Sequence, residues 1–161
     1  MLAGCSTEAD NLCPGAAALV EASALTGFPK GAPADPARAL YRVAVRNVTT
    51  DCSIDKYART ANSSVDIQFV ATRAPTGVAV QYRVPYFVAA RHGSTIIAKK
   101  IFWATFGFAP GQASTGFDES VGSTVIKIAK DKQPYDYQIL VGLQLTKEQL
   151  QYNRKIGHYG P

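Results

Sequence analysis

The chain has 161 residues, a net charge of +5 and a pI near 9.2. That length suits one domain able to bury about 70% of its extended surface without a structural metal, and the lack of any apolar run of about 18 residues excludes a membrane-spanning helix within these residues. The 17 Lys and Arg residues are scattered, with Lys99-Lys100 and Arg154-Lys155 the only adjacent pairs, so no nucleic-acid partner is expected and the charge excess reads as a solvated surface.

In chain order, Leu2-Ala3-Gly4-Cys5 resembles the lipobox at which a bacterial signal peptidase cuts before a lipid-modified cysteine. A secretory signal needs a charged start and an apolar run of about 7–15 residues. Only Met1 precedes the box here, so the signal is expected in a longer precursor. The small and polar Ser6-Thr7-Glu8-Ala9-Asp10-Asn11 suits a flexible tether over residues 1–12. Cys5 is the expected lipidation site. With it set aside, Cys13 and Cys52 form an even pair and are expected to be disulfide-bonded, as an oxidising periplasm permits. No Cys-x-x-Cys pair or Cys/His cluster suggests zinc, and no cofactor or metal is expected.

From there the chain reads as strand after strand, because apolar residues recur at every second position. The stretch 16–28 fits neither period well and is assigned to a strand by context. Tyr41, Val43 and Val45 alternate with Arg42, Ala44 and Arg46; Val65, Ile67, Phe69 and Ala71 with Asp66, Gln68 and Thr72; and Val78, Val80, Tyr82 and Val84 with Gln81 and Arg83. Arg73-Ala74-Pro75-Thr76-Gly77 between the last two predicts a hairpin. A second hairpin is predicted at Arg91-His92-Gly93-Ser94, between the apolar run Tyr86–Ala90 and 95–108, where Phe102, Ala104, Phe106 and Phe108 lie on one face. Residues 113–120 read as a polar loop and 121–130 as a shorter strand. The clearest alternation, Tyr135, Tyr137, Ile139, Val141, Leu143 and Leu145, predicts a central strand.

The period then changes. Thr146 and Gln149 form a capping box, and Leu145 with Leu150 a hydrophobic staple, so a short helix should begin there and pin itself to the strands, with Tyr152 and Ile156 extending the contact. Residues 157–161 read as a frayed tail. About seven strands, turn residues and one disulfide predict an all-β fold: a two-sheet antiparallel β-sandwich of immunoglobulin or fibronectin plan with a C-terminal helix, forming a single domain over 13–156. Trp103 follows both cysteines, so the tryptophan-between-cysteines pattern of a true immunoglobulin domain is missing.

Cys13-Pro14, Cys52, the run Val84-Pro85-Tyr86-Phe87-Val88-Ala89 and the closing Gln144-Leu145-Thr146-Lys147-Glu148-Gln149-Leu150-Gln151-Tyr152-Asn153-Arg154 together resemble a group of proteobacterial envelope lipoproteins, found notably among alphaproteobacteria. The resemblance spans nearly the whole chain. It implies a location and a fold but no activity, and Lys147 stands where a proline would be expected at the first helical position.

Nothing in the residues assembles an active site, so no enzymatic activity is expected. His92 falls at a hairpin tip and His158 in the tail; the serines near glycines do not form the Gly-x-Ser-x-Gly elbow; Asp51, Asp55, Asp118, Glu119, Asp131 and Asp136 read as loop or outward positions. A calcium site at Asp118 and Glu119 lacks the repeated oxygen-ligand spacing. Trp103 faces away from Phe102, Phe106 and Phe108, and with Lys99 and Lys100 is a candidate contact patch, though loops or the helix are expected to cover it. The reading is a lipid-anchored protein facing the periplasm, with outer-membrane sorting favoured by Ser6. Its expected role is that of an accessory subunit of an envelope complex. The alternative is a binding module whose aromatic residues line a pocket for a small or lipidic ligand.

Overall fold

The computed structural model describes residues 13–75 and 77–161; the predicted tether and Cys5 lie outside them. Eight strands form two four-stranded sheets packed face to face: β1 (Gly15–Ala18), β2 (Ala24–Gly27), β3 (Tyr41–Asp55), β4 (Thr60–Thr72), β5 (Val80–His92), β6 (Thr95–Phe108), β7 (Ser114–Lys127) and β8 (Tyr137–Leu143), followed by helix α1 (Lys147–Ile156). One sheet has the order β1-β8-β5-β6 and the other β2-β3-β4-β7. All pairings are antiparallel except β1 with β8, which is parallel.

The core is what the alternation predicts. Val65, Ile67, Phe69 and Ala71 from β4 meet Val84, Tyr86 and Val88 from β5, Ala104, Phe106 and Phe108 from β6 and Ile139, Val141 and Leu143 from β8, all buried. Aromatic rings fill the centre: Phe117 stacks on Phe69 and on Phe106, with centroids 5.1 and 5.0 Å apart. Glycine is required at Gly27, where the cross-strand Tyr41 ring lies over the position a Cβ would occupy.

Several sequence expectations are corrected. The stretch 16–28 is two short strands in different sheets, because a 3-10 turn at Val20–Ala22 buries Ala22 and hands the chain from one sheet to the other; this makes eight strands of the expected seven. The predicted hairpin at 73–77 is a crossover, since β4 pairs with β3 and β7 while β5 pairs with β6 and β8. Arg73 organises that crossing. Its guanidinium donates to the carbonyls of Gln112 (2.9 Å), Val78 (2.6 Å) and Ala109 (2.8 Å) and lies 4.6 Å from the Phe108 ring centre. Val78 falls outside the strand and is exposed.

The apolar runs on either side of Pro85 belong to one strand. Pro85 is tolerated there because its carbonyl, accepting from Gln144 N–H (2.9 Å), and hence its missing N–H face β8 just where that strand ends. The predicted polar loop at 113–120 is the first half of β7. Thr115, Phe117, Glu119 and Val121 point inward, and the inward glutamate hid the period. Tyr135 precedes β8 in a 3-10 turn and is exposed. The hairpin at 92–95 forms as expected, with Gly93 at φ 57°.

The capping box of α1 is present, Gln149 N–H donating to Thr146 Oγ1 (3.2 Å) and Thr146 N–H to Gln149 Oε1 (2.9 Å). Leu145 packs on the core as predicted, and Phe28 meets Tyr152 edge to face at 5.1 Å, but Ile156 is exposed. The strongest anchor is one that the apolar pattern missed: Asn153, 0% exposed, donates from Nδ2 to the carbonyls of Ala24 (2.8 Å) and Glu21 (3.1 Å). The tail is held instead of frayed. Arg42 donates to the carbonyls of Gly160 (2.7 Å) and His158 (2.8 Å), and the Ser23 hydroxyl to that of Tyr159 (2.7 Å).

Candidate docking surface

Strand β6 ends its sheet, so one row of its backbone N–H and C=O groups has no strand partner among the described residues. Alternation places Lys99, Ile101, Trp103 and Thr105 on the outer face, opposite Ala89, Phe87, Pro85 and Arg83 of β5. Trp103 is 53% exposed and Ile101 53%, so the expected cover of the tryptophan is absent among the described residues. The neighbouring cations hold the rings instead: Arg83 lies over Trp103 at 4.8 Å and Lys99 Nζ over Phe87 at 4.5 Å.

Lys100 does not share this patch. It pairs with Val88 on the inner face, in line with Phe102 and Ala104, yet it and Ala98 are exposed. The first half of β6 therefore projects beyond the cover of the second sheet, and an inward lysine on such an edge discourages indiscriminate strand pairing. Glu119 plays the matching part on β7, the edge of the other sheet, accepting from the buried Tyr86 hydroxyl at 3.3 Å. Burial, then the Glu119 charge and this hydrogen bond, push the Tyr86 hydroxyl far above the ordinary tyrosine pKa.

Charge is divided between the sheets. The strands of the β6 sheet carry Arg83, Arg91, Lys99 and Lys100 and no Asp or Glu. Those of the other carry Asp51, Asp55, Asp66, Asp118 and Glu119 against Arg42, Arg46 and Lys127. This segregation was legible only once strands were assigned to sheets, and with it Arg83 and Ile101 join the candidate patch.

The remaining candidates are placed as follows. Cys13 and Cys52 stand at disulfide distance, Cα to Cα 5.9 Å. Asp118 and Glu119 face opposite sides of β7 and do not converge on a cation; among the described residues no three His, Cys, Asp or Glu side chains gather as a metal group. His92 rests against Tyr137, centroids 5.0 Å apart. The aromatic residues weighed as pocket lining mostly stack on one another in the core. An open cleft of about 580 Å³ lies between residues 28–34 and α1, with Phe28, Pro33 and Tyr152 in its wall. The fold and its surface thus define an eight-stranded sandwich with one basic, partly apolar sheet edge. No protein family, curated protein or solved structure compared with the chain matches it.

Proposed function

We propose that the protein is a bacterial envelope lipoprotein, anchored through lipid at Cys5 and facing the periplasm, that serves as an accessory subunit and docks an acidic partner segment along β6. The observation that carries the docking is the edge itself: a 14-residue strand with exposed Ile101 and Trp103, in a sheet whose strands contain no acidic residue. An extended partner would add its own strand to the free backbone row, with its carboxylates meeting Arg83 and Lys99. The lipobox-like Leu2-Ala3-Gly4-Cys5 supports the anchor, Ser6 supports outer-membrane sorting, and the cysteines at disulfide distance fit an oxidising compartment.

The test is cross-linking and mass spectrometry on membranes from cells making the full-length precursor with a C-terminal tag. A defined partner should be recovered with the natural sequence and lost with Ile101→Glu/Trp103→Glu, whose side chains are exposed and leave the fold intact. Cys5→Ala should release the protein from the membrane and weaken the cross-link. Equal recovery of the same partners by all three proteins would refute the reading. The cleft beside α1 favours a second reading, a site for a small lipidic ligand; a bound molecule seen by native mass spectrometry and lost with Tyr152→Asp would support it.

A further inference from the structure

Strand register brings several loops to one end of the sandwich. Gly15 pairs with Gln138, Gln138 with Arg91, and Arg91 with Ile96, so the chain enters from Cys13 at the same end as the β5–β6 hairpin tip. In the other sheet Asp55 pairs with Thr60 and Thr60 with Lys127, which puts the β3–β4 turn at the end from which residues 128–136 cross to β8. Arg59, left-handed at φ 52°, fastens these loops together: its guanidinium donates to the carbonyls of Ile128, Ala129 and Lys132, and its own carbonyl accepts from Ile128 N–H at 2.8 Å.

What this end presents to solvent is apolar and charged, with Lys56, Arg59, Arg91, Lys130 and Lys132 against Asp55, Asp131 and Asp136. Tyr57 is fully exposed, Tyr135 57%, Ile96 51% and Ile97 47%. Lys56 and Lys130 are exposed beside them, with Lys132 partly so. The three acidic residues, also exposed, are held by local contacts. Asp55 accepts from the Tyr57 and Ala58 N–H groups (2.9 and 2.8 Å), Asp136 from Gln133 N–H (2.8 Å), and Asp131 lies 3.9 Å from Lys132. Tyrosine and lysine side chains suit a headgroup layer, each having an apolar body and a polar tip.

We propose that this end of the folded domain is a membrane-contact surface that rests on anionic phospholipid, with Tyr57, Tyr135, Ile96 and Ile97 at headgroup depth and Lys56, Lys130 and Lys132 against the phosphates. Its orientation rests on the lipid-anchor reading above. Cys5 precedes Cys13 by eight positions, so an anchor there keeps this end within about 29 Å of the bilayer. The lipid then holds the domain to the bilayer, and the basic contact sets how the domain rests on it.

The test uses the full chain carrying Cys5→Ser, so that affinity of the folded surface is read without any lipid. Flotation with phosphatidylcholine vesicles containing phosphatidylglycerol should show binding at about 0.1 M salt that fades at about 0.5 M and is missing with phosphatidylcholine alone. Lys56→Gln/Lys130→Gln/Lys132→Gln should weaken it by about 10-fold to 100-fold, and Tyr57→Ser/Tyr135→Ser/Ile97→Ser by about 10-fold. Ile101→Ser/Trp103→Ser, on the β6 face, should leave it unchanged. No preference for the anionic vesicles, or loss with the β6 variant in place of the end variants, would overturn the proposal. Mass spectrometry of the N-terminus from cells making the precursor tests the anchor separately, so failure of either idea is distinguishable from failure of the other.

Discussion

Tyr86 spans the gap between the sheets, its ring stacked on Phe102 (5.4 Å) and its hydroxyl directed at Glu119. In the unfolded chain its proton leaves near pH 10. In the folded one, burial first and the Glu119 carboxylate second keep it bound well above that. Above about pH 10 the folded state therefore holds more protons than the unfolded one, and stability falls as pH rises, by at most about 1.4 kcal/mol per pH unit from this group. Tyr41, raised mainly by burial, adds to the same trend. Tyr86→Phe should lose about 1 kcal/mol near neutrality and show a shallower decline between pH 8 and pH 11 in urea unfolding; equal declines in the two proteins would refute the assignment. Phe102 beside this pair follows the inward period and was legible, whereas Phe117 and the carboxylate were not, because alternation treats an acidic residue as outward and so made 113–120 read as a loop.

At the scale of elements, the strand read most easily is β4, with one wet face and one dry face, while β8 shows its period through Gln138, Gly142 and Gln144 although both its faces are covered. Those misread break that premise for identifiable reasons. β1 and β2 are four residues each and separated by a turn, so neither shows a period. β7 lies at an edge and carries a glutamate inward. The crossover at 73–79 contains the residues of a tight turn, and only the sheet membership of its flanking strands distinguishes the two. Of the candidate site, Trp103 and Lys99 were legible from alternation, Ile101 shares their period without having been singled out, and Arg83 needed the pairing of β5 with β6. Helix α1 shows a related limit: its cap was written in the sequence, but its docking depends on Asn153, a polar residue that no apolar stripe reveals. Asn153→Ala should strand the buried Ala24 carbonyl and release the part-buried carbonyl of Glu21, and cost about 1–3 kcal/mol in urea unfolding. The exposed Arg154, paired with Glu21 at 2.8 Å, should by contrast give a variant of nearly unchanged stability.

The whole molecule is held together by contacts distant in sequence. Gly15 pairs with Gln138, and the tail returns to Arg42 and Ser23. Such a topology should fold in milliseconds to seconds. A bond between Cys13 and Cys52 closes a loop whose ends are 39 positions apart, worth about 4 kcal/mol in the chain-entropy model. Reduction should therefore lower stability by up to about that amount and slow refolding followed by far-ultraviolet circular dichroism; unchanged stability and rate on reduction would show the pair to be free thiols. The same bond has a mechanical consequence. Tension applied through residues before Cys13 would otherwise peel β1 from β8 one hydrogen bond at a time, beginning at Gly15. With the sulfurs joined, the load bypasses β1 and enters β3 at Cys52, within a long strand flanked by β4, where many ladder bonds must yield together in shear. For a domain held by its N-terminus, the linkage places the point of attachment in the part of the fold best able to resist being pulled.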